Sequence, residues 1–86
     1  MAAFMLGQIV ATPGALALRV DLLPYLRRHA AADWGDLDAH DRAANERALK
    51  DSSRVFSAYE VPTGDRLWII TEADRSVTTF LLPEEY

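Results

Sequence analysis

The spacing of apolar residues changes from a helical to a strand period at the polar triplet Asp51, Ser52, Ser53. Before the triplet, apolar positions recur every three or four residues, the period of a helix; after it they alternate, the period of a strand. With one short strand ahead of the helices, this switch keeps the helices together and the remaining strands together. It excludes the repeated strand–helix order of a parallel α/β sheet and points to an α+β domain.

Three segments after the triplet read as strands: RVFSAYEV at 54–61, RLWIITE at 66–72 and SVTTFLLP at 76–83. All are rich in β-branched and aromatic residues. The turns PTGD and ADR between them predict a three-stranded antiparallel meander. LWII is apolar on both faces, as a central strand is, so Trp68 reads as core.

The first half begins with FMLGQIVA at 4–11, read as a short strand. It ends at Thr12 and Pro13, a hydroxyl cap followed by proline at the first helical position. GALALR supplies a turn or two of helix. DLLPYLRRHAAA starts another, with Asp21 as a cap and Pro24 tolerated in the first turn. Leu22, Leu23, Leu26 and Ala30 form its apolar stripe, while Arg27 and Arg28 point outward. Gly35 breaks this helix and Asp38 caps the next, AHDRAANERALK. Asp41 in its first turn and Arg47 and Lys50 in its last suit the helix dipole.

The expected architecture is one domain over residues 1–86. It has an N-terminal strand, two to three helices and the meander, with the helices packed on one face of an antiparallel sheet. The edge taken by the first strand is open. TFLL in the last strand offers a surface on which a homodimer could form.

Composition removes several functions. The chain has no cysteine, which excludes disulfides, thiolate nucleophiles and zinc–thiolate or iron–sulfur sites. No basic residue precedes the N-terminal apolar run, and Gly7 and Gln8 interrupt it, so no signal peptide is read. No stretch approaches the roughly 20 apolar residues of a membrane span. These features lead us to expect a cytoplasmic protein with no membrane partner. The net charge is −4. Direct nucleic-acid binding draws on clustered Lys and Arg, so the overall field favours a basic protein partner instead.

The chemistry concentrates in RHAAADWGDLDAHDR, residues 28–42. His29, Asp33, His40 and Asp41 are metal-ligand types. The break at Trp34 and Gly35 divides them and no ligand spacing appears, so neither metal nor cofactor is expected. A second pattern is catalytic. His29 as base, Arg75 as phosphate clamp, and Thr78 or Thr79 would suit a small metal-independent ribonuclease toxin of barnase/RelE-like layout. Acidity argues against that enzyme, and Arg75 equally fits a tight turn with Asp74 and Ser76. The third pattern is an acidic face for partner binding: Asp33, Asp36, Asp38, Asp41 and Glu46, with Trp34 as an anchor or as a wedge between helices and sheet. Local cap chemistry explains many of the same aspartates.

The blocks GQIVATPGAL, RHAAADWGDLDAHDRAANERAL and RLWIITEADRSVTTFLLPEEY resemble a family of small bacterial proteins carried on plasmids, prophages and other mobile elements. The resemblance spans nearly the whole chain, with a shortened spacing around ALALRVDLLPY. Size, acidity and this context also make the chain similar to type I-C anti-CRISPR proteins. That likeness implies a non-enzymatic inhibitor that binds a CRISPR effector complex and blocks recruitment or cleavage of target DNA. Acidic loops would meet Lys- and Arg-lined surfaces that otherwise hold DNA.

Overall fold

The computed structural model describes residues 2–86. The elements run β1 (Gln8–Ala11), α1 (Pro13–Ala17), α2 (Leu23–Ala30), α3 (Ala39–Asp51), β2 (Val55–Glu60), β3 (Arg66–Thr71) and β4 (Val77–Leu81). A single 3-10 turn, Pro83–Glu85, ends the chain. The fold is α+β, with three helices and one four-stranded sheet of order β1-β4-β3-β2.

The sheet is mixed, where an antiparallel one is predicted. β2, β3 and β4 pair antiparallel in sequence order, but β1 lies parallel to β4. The three helices lie between β1 and the rest, and the chain re-enters the sheet from the far edge. β4 is therefore an interior strand with neighbours on both sides, which removes TFLL as an edge for self-association.

β1 is shorter than the predicted strand at 4–11. Gly7 turns the chain with φ +67°, and a Cβ there would overlap the backbone carbonyls of Arg75 and Ser76. Residues ahead of it cross α2 instead: the Ala3 N–H donates to Ala30 O at 2.7 Å. Helix ends follow the sequence signals more closely. Thr12 caps α1 by accepting from the Ala15 N–H, and Asp38 caps α3 by accepting from the Asp41 N–H. Asp21 lies one residue before the N-cap of α2, Leu22, yet still accepts from the Leu23 N–H at 3.1 Å. α2 stops at Ala30 because Ala32 turns left-handed at φ +65°.

One sheet face carries Val55, Ser57, Tyr59, Leu67, Ile69, Thr71, Thr78 and Phe80, all buried. α2 covers it with Leu22, Tyr25 and Leu26, partly buried, and His29, fully buried; Leu23 is largely exposed, contrary to the predicted stripe. A second cluster joins Trp34, Leu37, Ala48, Val55 and Ala58 where α3 meets the β2 edge. The opposite sheet face carries Phe56 and Trp68, only partly covered, with ring centroids 4.9 Å apart. Trp68 is thus half-buried on the open face and not in the main core as expected. Tyr86 stacks edge-on against it at 5.8 Å.

The two sheet edges are finished differently. At β2, residues 34–36 run alongside the strand: the Asp36 N–H donates to Ala58 O at 2.7 Å and the Ala58 N–H to Trp34 O at 3.2 Å. One residue pair further on, the side-chain amide of Asn45 from α3 bonds both backbone groups of Phe56, at 2.5 and 3.1 Å. Backbone groups of an edge strand that would face water are thereby satisfied within the chain.

Candidate functional site

The predicted acidic face occupies the turn between α2 and α3 and the first half of α3. The turn is pinned at several points. Gly35 holds φ +73° against β2, where a Cβ would overlap Ala58 O and the Tyr59 ring. The Arg42 guanidinium donates to Leu37 O at 2.9 Å and also to Gly35 O. The Tyr59 hydroxyl, its pKa pushed up to about 12 by burial, donates to Asp33 O at 2.6 Å. A segment with this many internal bonds presents its side chains in fixed positions.

The side chains on it have separate fates. Asp33 accepts from Arg28 Nε at 2.8 Å, and this bond, ahead of the other influences, holds its carboxyl below the usual carboxylate range. Arg28 in turn lies 4.6 Å over the Tyr59 ring. Asp36 is half exposed and stands 3.8 Å from Arg66. Asp38 is exposed and uses one oxygen as the α3 cap, at 2.8 Å from the Asp41 N–H. The Asp41 side chain is 47% exposed beside His40. Glu46 accepts from the Trp34 indole N–H at 3.0 Å. Trp34 itself is 3% exposed, so the wedge role fits the structure and the anchor role does not: a partner cannot reach that indole.

Asp33 and Glu46 are exposed but held by Arg28 and Trp34, which leaves Asp36, Asp38 and Asp41, on the turn and the start of α3, as the carboxylates least tied to another side chain. Asp38, His40 and Asp41 also bring potential ligand atoms within 4.8 Å of one another. His29 and Asp33, the other residues weighed as ligands, stand outside that group, and the crowding is that of an ordinary helix start.

The residues weighed for catalysis are brought together, but inside the protein. His29 is 0% exposed. Its Nδ1 lies 2.5 Å from Ser57 Oγ and its Nε2 2.9 Å from Thr71 Oγ1. Thr71 Oγ1 lies 2.7 Å from Thr78 Oγ1, which donates to Leu6 O at 2.7 Å. A carbonyl can only accept, so the last link orients all the others. Thr78 spends its proton on Leu6 O, Thr71 donates to Thr78, His29 donates from Nε2 to Thr71, and Ser57 donates to Nδ1. The imidazole is neutral in the Nε2–H form. Burial, aided by the nearby Arg75 charge, lowers its pKa to about 4.

Arg75 is equally committed. Its guanidinium donates to Ser53 O at 2.6 Å, Ala48 O at 3.0 Å and Glu72 O at 3.2 Å. It closes the last turn of α3 onto the β3–β4 turn, where it adopts φ +61°. Asp74 accepts from the Ser76 N–H in that turn, as the sequence suggests. Thr79, the other hydroxyl considered, falls on the opposite face of β4 from Thr78. His29 has no exposed atom to offer a phosphate, and Arg75 binds backbone.

Asn45, Ser57 and Thr71 escaped the sequence reading. The signal for the hydroxyls was present: Ser57, Thr71 and Thr78 occupy inward positions of alternating strands, and an inward hydroxyl requires a buried polar partner. Among the described residues, no helix is long and apolar enough to cross a membrane. Comparison with protein-family models, curated proteins and solved structures returned no match.

Proposed function

We propose that this protein is a non-enzymatic inhibitor that binds a basic protein surface through the turn bearing Asp36, Asp38 and Asp41. The observation that carries this reading is the pairing of outward carboxylates with a pinned backbone. A preorganised anionic turn gives up little conformational freedom on binding. Its charge steers association with a positively charged surface. The partner we propose is a type I CRISPR effector complex in the cytoplasm, on the resemblance to mobile-element and anti-CRISPR proteins. Occlusion of its DNA-recruiting surface is then the inhibitory step. Asp33 acts in this scheme by bracing the turn through Arg28, while buried Trp34 supports it from inside and exposed Glu46 holds the Trp34 indole. The ribonuclease alternative is disfavoured because its candidate base is sealed and its candidate cation is occupied.

The test is a triple variant, Asp36→Asn, Asp38→Asn and Asp41→Asn, in pull-down and interference assays with a type I system. Asn caps helices about as well as Asp, so the fold survives while three charges go. Wild type is expected to recover effector subunits and suppress interference, with salt-sensitive association, and the folded variant to do so weakly. Failure of the wild type to capture or inhibit any effector removes the partner assignment. Full activity in the folded variant removes the acidic turn as the contact.

A further inference from the structure

The contrast between the two sheet edges carries an inference beyond the acidic turn. Edge strands expose unpaired backbone groups that template pairing with another chain, and monomeric proteins blunt them with charge, proline, bulges or covering segments. The β2 edge is blunted twice, by residues 34–36 and by Asn45. The β1 edge, by contrast, is open. Gln8–Ala11 carries no charge and no proline, and among the described residues β4 is its sole strand partner. The Gln8 N–H donates to Ser76 O and the Thr12 N–H to Phe80 O. Parallel pairing thus turns the backbone groups of residues 8, 10 and 12 inward to β4 and those of Ile9 and Ala11 outward. Side chains there are apolar and accessible: Ile9 is 43% exposed, Val10 36% and Met5, just before the strand, 77%.

We infer that β1 pairs antiparallel with β1 of a second copy of this chain, about a twofold axis at Val10, to give a continuous eight-stranded sheet. In that register the outward N–H and C=O of Ile9 meet those of the partner copy's Ala11, and the reverse, so all four outward groups of each copy are satisfied. Self-complementarity selects a second copy as the occupant, and the electrostatic cost is smallest at this edge. Each chain carries −4, and two copies approach with least repulsion at an uncharged edge. β1 is such an edge, and it lies across the sheet from the acidic turn. Backbone pairing over four residues buries less than the roughly 1,000 Å² of a stable interface, so the side chains of Ile9 and Val10, with Met5 ahead of the strand, must supply the rest. A dimer that assembles at micromolar or higher concentration follows.

The twofold geometry gives a sharp test. Val10 would face its own copy in a non-hydrogen-bonded pair, with Cα atoms ~4.5 Å apart, inside the range a disulfide spans. The chain has no native cysteine to interfere. Val10→Cys is expected to form a disulfide-linked dimer under mild oxidation, while Glu60→Cys, on the blunted edge, stays monomeric. Sedimentation of the wild type should show the mass doubling as concentration rises. Val10→Lys, which sets two ammonium groups together at the axis, should remain a monomer with an unchanged circular dichroism spectrum. A wild type that stays monomeric to millimolar concentration overturns the inference. So does cross-linking of Glu60→Cys as efficient as that of Val10→Cys. Should Val10→Lys fail to fold, the cross-linking pair and the wild-type mass still decide. None of these results depends on the acidic turn, so the two proposals stand or fall separately.

Discussion

Acid should destabilise this protein through His29 before it reaches the carboxylate range. The imidazole is buried, neutral and locked in one tautomer by the Ser57–His29–Thr71–Thr78–Leu6 chain. A proton added to Nδ1 would face the Ser57 hydroxyl, which is already donating, in a site water does not reach. The folded pKa of about 4 lies below the ordinary 6.5, so between those values the unfolded chain binds the proton and the folded one does not. The stability His29 contributes is therefore complete above pH 6.5, declines as the pH falls through this window and is gone below about 4. Across that gap, at about 1.4 kcal/mol per pH unit, the loss reaches ~3 kcal/mol. That is a large part of the roughly 4–13 kcal/mol typical of a domain this size. Urea unfolding of wild type and His29→Gln from neutral pH to pH 4 measures it. The variant cannot charge, and subtracting its profile cancels the carboxylates, Asp33 and Glu85 included. The reasoning is refuted if the two profiles run parallel through this window. It is also refuted if the ¹⁵N resonances of His29 in the wild type show titration near 6.5 or an Nδ1–H tautomer.

Other substitutions probe the remaining contacts. Asn45→Ala strips both partners from Phe56 and should cost about 2–4 kcal/mol in urea unfolding, with faster hydrogen exchange at the Phe56 amide. Asn45→Asp should be as harmful, because it sets a carboxylate against Phe56 O. Arg75→Ala frees three carbonyls between α3 and the β3–β4 turn, and the thermal midpoint should fall by about 10 °C. Gly35→Ala should lose about 3 kcal/mol or more, since the residue needs both a left-handed backbone and close approach to β2. A midpoint within a degree of wild type would show that the 34–36 segment is not held as described.

Much of the fold was legible because its signals are local. Thr12 and Asp38 cap where hydroxyl and carboxylate caps are expected, Pro24 sits in a first turn, and the change of period at Ser53 marks the start of the strands. What was illegible depends on distant partners. Nothing within Gln8–Ala11 states that its neighbour is a strand nearly 70 residues later, or that the two run parallel. His29 looks like a dipole partner at a helix end, and only Ser57, Thr71 and Thr78 together make it a buried hub. Trp34 was ambiguous between wedge and anchor, and the Gly35 contact with β2 decides it; Trp68 reads as core because an apolar run on both faces does not tell which face is left open. The acidic run was legible as charge but not as use: Asp33, Asp38 and Glu46 are bonded by Arg28, a helix N-terminus and an indole.

The Asn45 amide has one further consequence. It stands where the peptide group of a fifth strand would stand, and so it ends the sheet chemically as well as sterically. A chain with both edges open has a valence of two and can polymerise without limit, the route by which strand pairing leads to fibres. With one edge capped by its own side chain, this molecule has a valence of one. Any strand added at β1 uses the last open position, and growth stops there. Removing the amide would therefore do more than weaken the fold. It would leave residues 34–36 as the last cover on the β2 edge, one step from a molecule with two open edges.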